Sequence, residues 1–189
     1  MKEMNRREFL TLTGAAVVAL SLAGCGEPSA PPAPTTSKEA ELVAAINKVW
    51  KKKYEANEVA HEQLTLNQDA VGAIRCYGRV FEEVNETPHK LTSSDFGIVL
   101  GESGGLEEKL KKYGGEDSLA GVAGISEPST EMVVALEDEY SCEDTAVRTF
   151  VAKLLKNSNS AKAEFISIYC PVVKNVTYMT AIVFRNNKP

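Results

Sequence analysis

The sequence predicts an α+β domain in which helices come first and a β-hairpin comes last. Apolar residues recur at helical spacing in residues 38–57, 67–84 and 141–155. Residues 163–185 are rich in strand-forming side chains on both sides of a polar turn. Strands and helices do not alternate regularly, so the repeated βαβ units of a parallel sheet are not expected.

The first two helices are indicated by apolar spacing and by capping residues. Ser37 can cap a helix over residues 38–57, in which Leu42, Ile46 and Val49 recur one turn apart. Asn67 can cap a second helix that runs to about residue 84.

The middle of the chain is predicted to be less regular. A short strand is expected at residues 96–100, and a short amphipathic helix at residues 106–113 is stopped by Gly114-Gly115. A glycine-rich passage then leads to a strand at residues 132–136.

The strongest helix signal lies in residues 141–155. Ser141-Cys-Glu-Asp144 has the form of a capping box with Asp in place of Glu, and Val147, Phe150 and Leu154 follow at helical spacing. The chain then ends in two predicted strands, residues 163–173 and 176–185, joined by a Lys174-Asn175 turn.

Residues 1–25 are interpreted as an export signal. Arg6-Arg7, followed by Glu-Phe-Leu, resembles the twin-arginine motif, and the uncharged run 10–24 is short for a spanning helix of about 20 apolar residues. Leu22-Ala-Gly-Cys25 resembles the bacterial lipobox, in which the cysteine thiol takes a diacylglycerol. Two or more acyl chains, at about 0.8 kcal/mol per buried CH₂, hold a protein stably on a membrane. An ordinary apolar anchor with an incidental cysteine is the alternative.

Residues 26–38 are predicted to be a tether, because they contain four prolines and no large apolar side chain. Residues 39–189 are then left as one folded domain. The whole chain has a net charge of −5 and no basic stripe, which argues against nucleic acid as a partner.

Three of the four cysteines remain once Cys25 is acylated: Cys76, Cys142 and Cys170. Outside the cytoplasm two of them could pair, and the sequence leaves all three pairings open. No C-x-x-C unit is present, which makes a zinc or redox site a weak interpretation.

Several short motifs occur in an order that is similar to a known family. They are Leu42, Ile46 and Asn47 in the first helix, Leu64-Thr-Leu-Asn67 before the second, Tyr113-Gly114 after the short helix, Ala135-Leu-Glu137-Asp-Glu139, Lys156-Asn-Ser158 and the last strand. This order resembles the bacterial branch of the CAP superfamily (the SCP-like, cysteine-rich secretory protein domain). The resemblance covers residues 40–185 and implies a three-layer α-β-α sandwich with a C-terminal β-hairpin.

The resemblance also implies where a cleft would lie. The family's cleft usually offers two histidines and acidic residues that can hold a divalent metal. His89 stands for the first histidine, and Glu137, with Glu139 nearby, stands for the acidic residues. No histidine follows residue 89, so the expected cleft is degenerate. We expect no cofactor, with a divalent metal as the weaker alternative.

Gly101-Glu-Ser103-Gly-Gly105 matches the G-x-S-x-G pattern of a nucleophile elbow. In α/β-hydrolases the catalytic histidine follows the serine, whereas His61 and His89 both precede Ser103. A glycine-rich turn ahead of a helix is the simpler interpretation.

The sequence as a whole predicts a lipid-anchored binding protein that faces outside the cytoplasm. The resemblance to the CAP superfamily implies a lipid, a cell-wall component or another protein as the ligand, and a binding role is favoured over an enzymatic one. Two alternatives stay open: an envelope hydrolase that depends on a metal or on Ser103, and an adhesion or assembly lipoprotein of unrelated α+β fold.

Overall fold

The computed structural model describes residues 37–92, 94, 106–126 and 133–188. The helices are α1 (Ser37–Glu55), α2 (Val71–Val84), α3 (Leu106–Leu110) and α4 (Asp144–Leu154). The strands are β1 (Thr65–Leu66), β2 (His89–Lys90), β3 (Leu119–Ala123), β4 (Val133–Val134), β5 (Phe165–Tyr169), β6 (Val172–Val173), β7 (Val176–Thr177) and β8 (Thr180–Phe184). The predicted α+β class is therefore confirmed.

Several predictions fall outside the described residues. They concern the export signal with Arg6, Arg7 and Cys25, most of the tether, the strand at residues 96–100, and Ser103. Within the described part of the chain, no helix is both long enough and apolar enough to cross a membrane.

The main sheet has four strands in the order β1–β5–β8–β3. β5 and β8 are antiparallel, with Phe165 opposite Phe184 and Tyr169 opposite Thr180. β3 is antiparallel to β8, and β1 is parallel to β5. β3 therefore lies at one edge of the sheet, while β2–β4 and β6–β7 form two small separate ladders.

Helices pack against both faces of this sheet. Successive residues of a strand point to opposite faces. In β8, Ala181 and Val183 pack with buried side chains of α1 and α4, whereas Ile182 and Phe184 pack with buried side chains of α2 and α3. A third apolar cluster joins another side of α2 to β4 and β6.

The predicted start of the second helix is confirmed. The side chain of Asn67 accepts a hydrogen bond from the backbone N–H of Asp69 at 2.9 Å. This bond caps a single 3₁₀ turn, Gln68–Ala70, which continues directly into α2. The predicted helix at residues 106–113 is also present, but it consists of α3 followed by a 3₁₀ turn, Lys111–Tyr113.

The capping box predicted at Ser141-Cys-Glu-Asp144 is wrong. The N-cap position of α4 is Glu143, and no side chain caps it. The hydroxyl of Ser141 accepts a hydrogen bond from the backbone N–H of Glu143 at 3.1 Å, so it closes a local turn ahead of the helix. Serine side chains form such turns readily, which is why the motif alone does not locate a helix start.

The predicted terminal hairpin is confirmed, although each of its long strands is divided in two. Lys174 and Asn175 have φ of 50° and 65°, as a tight two-residue turn between β6 and β7 requires. The first predicted strand is interrupted after β5 at Cys170-Pro171, where proline lacks a ladder N–H. The second is interrupted at Tyr178-Met179, before β8.

Candidate functional site

A cavity of about 760 Å³ lies between α2, the edge strand β3 and the C-terminal end of α4. Its volume falls within the range of about 300–1,000 Å³ that is common for small-molecule sites. The lining comprises Ala73, Ile74 and Tyr77 of α2, all five residues of β3, Lys153 and Leu154 of α4, and Leu106, Ile125, Ser126, Glu137, Lys156, Asn157 and Ile182. Most of these side chains are apolar.

All five residues of the edge strand β3 line the cavity, and Gly121 lets neighbouring backbone pack closely against the strand. A Cβ atom at Gly121 would overlap the Ser160 hydroxyl and the carbonyl oxygen of Leu154, so glycine allows the end of α4 to approach the strand. The Ser160 hydroxyl donates a hydrogen bond to the carbonyl oxygen of Ala120 at 2.6 Å. Val122 lines the cavity and remains 48% exposed.

Charged side chains meet at one end of the cavity. The Lys153 ammonium lies 3.0 Å from a Glu137 carboxylate oxygen and 2.8 Å from both carboxylate oxygens of Asp138. Burial alone would lower the pKa of Lys153, but hydrogen bonds to Asp138 and Glu137 outweigh it and hold this pKa above its usual value. Lys153 therefore stays protonated at neutral pH, and its two carboxylates together carry one negative charge more than it compensates. Lys156 and Asn157 line the same end.

The backbone places Glu137 at this end of the cavity. Its N–H donates to the carbonyl oxygen of Gly124 at 3.0 Å, and the N–H of Ser126 donates to the carbonyl oxygen of Ala135 at 2.9 Å. Residues 135–137 therefore run beside residues 124–126, directly after β3.

The other two residues of the expected cleft lie elsewhere. His89 is opposite Val134 in the β2–β4 ladder, and its ring packs edge-on against Phe81 at a centroid distance of 6.3 Å. Glu139 is exposed and forms an isolated bridge with Tyr178. The structure brings Glu137 to the cavity, whereas neither His89 nor Glu139 lines it. Among the residues that the structure describes, no three His, Cys, Asp or Glu side chains are grouped so that they could hold a metal ion.

The three cysteines of the domain are free thiols in different surroundings. Cys76 is buried in α2, and its thiol donates to the carbonyl oxygen of Ala73 at 2.9 Å. Cys142 is exposed, and Cys170 is half-buried. Burial, together with the charge of Glu39, raises the pKa of Cys170 to about 12.

Two parts of the cavity are missed by the sequence analysis. Residues 119–125 form an uncharged run that is typical of a buried strand, but they fall within the glycine-rich passage, for which no strand is predicted. Lys153 follows the apolar positions Phe150 and Val151 of α4, and no local signal separates it from a solvent-exposed lysine. Its partners lie 15 and 16 residues earlier in the chain.

Three comparisons with known proteins complete the description. No protein-family model, no curated protein and no solved structure matches this chain.

Proposed function

We propose that this chain is a lipid-anchored binding protein of the extracytoplasmic space, and that its cavity takes a small, mainly apolar molecule. The cavity between α2, β3 and α4 is the observation that carries this proposal. An apolar wall with a few converging polar groups is the usual pattern of a small-molecule site.

The charge at the polar end narrows the ligand class. Lys153 is already paired with Asp138 and Glu137, and together with Lys156 the two lysines and two carboxylates at this end carry no net charge, so the end as a whole does not favour an anionic head group. The apolar wall favours an alkyl chain or ring system, and the balanced end favours an uncharged polar group such as a hydroxyl. A neutral amphiphile, of the kind found in lipids, is the class that fits best.

The ion pair between Lys153 and Glu137 also favours a binding role over a catalytic one. Glu137 and Lys153 would be the obvious acid–base groups in the cavity, but they form an ion pair 3.0 Å long. Such a pair stiffens the wall of a site, and it helps to hold Lys153 in its charged form.

The remaining parts of the proposal depend on the sequence. Cys25, behind Arg6-Arg7, supports acylation and export, and residues 26–38 support a tether between membrane and domain. A sheet with helices on both faces and a terminal hairpin is compatible with a divergent CAP-type sandwich. In that relationship His89, Glu137 and Glu139 would be the remnant of a metal cleft, without a resident cofactor.

Two exposed valines provide a matched test of the cavity. Val122 lines the cavity and is 48% exposed, whereas Val172 of β6 is 49% exposed and lies outside the lining. We expect 1-decanol to bind residues 32–189, and Val122→Asp to weaken the binding at least about tenfold, since a carboxylate beside the alkyl chain loses its hydration. Val172→Asp should bind like the wild type.

Isothermal titration calorimetry at neutral pH measures the three dissociation constants. A wild type that does not bind 1-decanol, or two variants that bind with equal affinity, would remove this cavity as the site.

A further inference from the structure

Two of the three thiols lie near the start of α1, where the tether joins the domain. The N–H of Tyr140 donates to the carbonyl oxygen of Thr177 at 2.8 Å, and the N–H of Tyr178 donates to the carbonyl oxygen of Pro171 at 2.8 Å. The segments around residues 140, 177 and 171 therefore run side by side. Cys142 follows the first segment, and Cys170 precedes Pro171 in the third.

Lys38, at the start of α1, contacts Tyr140 and Thr177, which lie near the segments of the two thiols. The Tyr140 hydroxyl lies 3.4 Å from Cys142 Sγ and 3.1 Å from the carbonyl oxygen of Lys38. The Lys38 ammonium is 2.7 Å from the Thr177 hydroxyl and lies over the Tyr140 ring. At Cys170, burial has the largest effect on the thiol pKa, followed by Glu39, Lys38 and the thiolate of Cys142. The hydrogen bonds of Lys38 to Tyr140 and Thr177 place the segments beside both thiols at the start of α1.

Both thiols lie outside the helices and strands. Cys142 lies between Tyr140 and α4, and Cys170 lies in the interruption between β5 and β6. A disulfide needs Cα atoms about 4.4–6.8 Å apart, and an irregular segment reaches that distance with less disruption than a helix or strand does. Cys76 is different, because it is fully buried within α2 and donates its thiol hydrogen to the helix backbone.

We propose that Cys142 and Cys170 form a disulfide that closes residues 142–170, with α4 and β5, into a loop beside the start of α1. The oxidant is a small or protein disulfide. The Cys142 thiolate attacks one sulfur of that disulfide and releases the first thiolate. The Cys170 thiolate then attacks the Cys142 sulfur and releases the second. The two cysteine thiols are oxidised, the oxidant disulfide is reduced, and the two protons pass to the released thiolates.

Formation of this disulfide in the cell depends on the proposed extracytoplasmic location, because disulfides persist in oxidising compartments. Its formation in vitro does not depend on that location. A loop of this length should raise the Tm of the oxidised protein by about 10 °C, because the unfolded chain loses conformational freedom.

The test uses the full chain with Cys25→Ser, which removes the fourth thiol. The protein is incubated with oxidised glutathione, its remaining thiols are alkylated, and it is digested without reduction. Mass spectrometry should recover the peptides of Cys142 and Cys170 as one linked species, with Cys76 alkylated once the chain is unfolded. The thermal shift should persist in Cys76→Ala and disappear in Cys142→Ser, an exposed position.

Alkylation of both Cys142 and Cys170 after oxidation, a stable glutathione adduct on Cys142, or a linked species that contains Cys76 would overturn the proposal. Failure of 1-decanol to bind, with the linked peptide present, would overturn only the proposed function.

Discussion

Gly115 and Gly124 both adopt a positive φ, of 67° and 86°, but only one of them is crowded. A Cβ atom at Gly115 would have no neighbour within 4 Å. A Cβ atom at Gly124 would overlap the carbonyl oxygen of Met179, which belongs to the backbone just before β8. At this position the chain passes from β3 to the segment that pairs with residues 135–137, beside the polar end of the cavity.

The two glycines therefore allow backbone strain to be separated from steric overlap. We expect Gly115→Ala to lower the free energy of unfolding by about 1 kcal/mol, which is the cost of a left-handed alanine. Gly124→Ala should lower it by about 3 kcal/mol or more, because strain and overlap with rigid backbone add. Urea titrations at 25 °C measure both values. Equal losses of unfolding free energy in the two variants would show that residue 124 does not approach the backbone of Met179 closely enough for overlap.

Lys153 joins α4 to residues 137–138. Its side chain is 23% exposed, and its partner Asp138 is 12% exposed. Removal of the ammonium would leave the Asp138 carboxylate partly buried without its main partner, which is more costly than the loss of a solvent-exposed ion pair. The contact therefore couples the position of the helix to the polar end of the cavity.

We expect Lys153→Met to lower the free energy of unfolding by about 1–3 kcal/mol at pH 7. The folded-state pKa of Lys153 is raised, so its stabilising contribution is complete below the unfolded pKa of about 10.4 and is lost as pH rises through the folded value. The difference from the wild type should be constant between about pH 6 and pH 9 and should shrink above about pH 10.4.

Urea titrations across this pH range measure the free energy of unfolding of the wild type and of each variant. Lys156→Met is the control at the same end of the cavity, and its effect should stay within about 0.5 kcal/mol because the residue is exposed. A stability difference for Lys153→Met that already declines between pH 6 and pH 9 would contradict the assignment.

At the scale of the whole molecule, the proposed anchor is a covalent modification of Cys25. In bacteria grown with an alkyne-tagged fatty acid, we expect the wild type and Cys142→Ser to become labelled and to sediment with membranes. Cys25→Ser should remain unlabelled, because serine provides no thiol for the diacylglycerol. Gel detection of the tag, normalised to protein amount, measures the difference. Label that persists in Cys25→Ser would place the lipid on another residue, and absence of label from the wild type would exclude the anchor.

Local patterns were sufficient for most of the elements. α1, α2 and α4 follow from apolar spacing, and the terminal hairpin follows from its turn residues, all of which are neighbours in the sequence. Asn67 and the Lys174-Asn175 turn act within a few residues of their own positions. Ser141 shows the limit of this approach, because its side chain bonded the backbone in a turn and did not cap the helix.

The cavity depends on residues that meet only after folding. β3 is a strand because it pairs with β8, and the end of α4 packs against it at Gly121. Its small side chains show no alternation of apolar and polar residues in the sequence. Lys153 becomes a partly buried, paired cation because Asp138 and Glu137 approach it from another segment. The sequence therefore predicted the α+β class of the fold, whereas the cavity depends on long-range packing, whose partners are not recorded in local spacing.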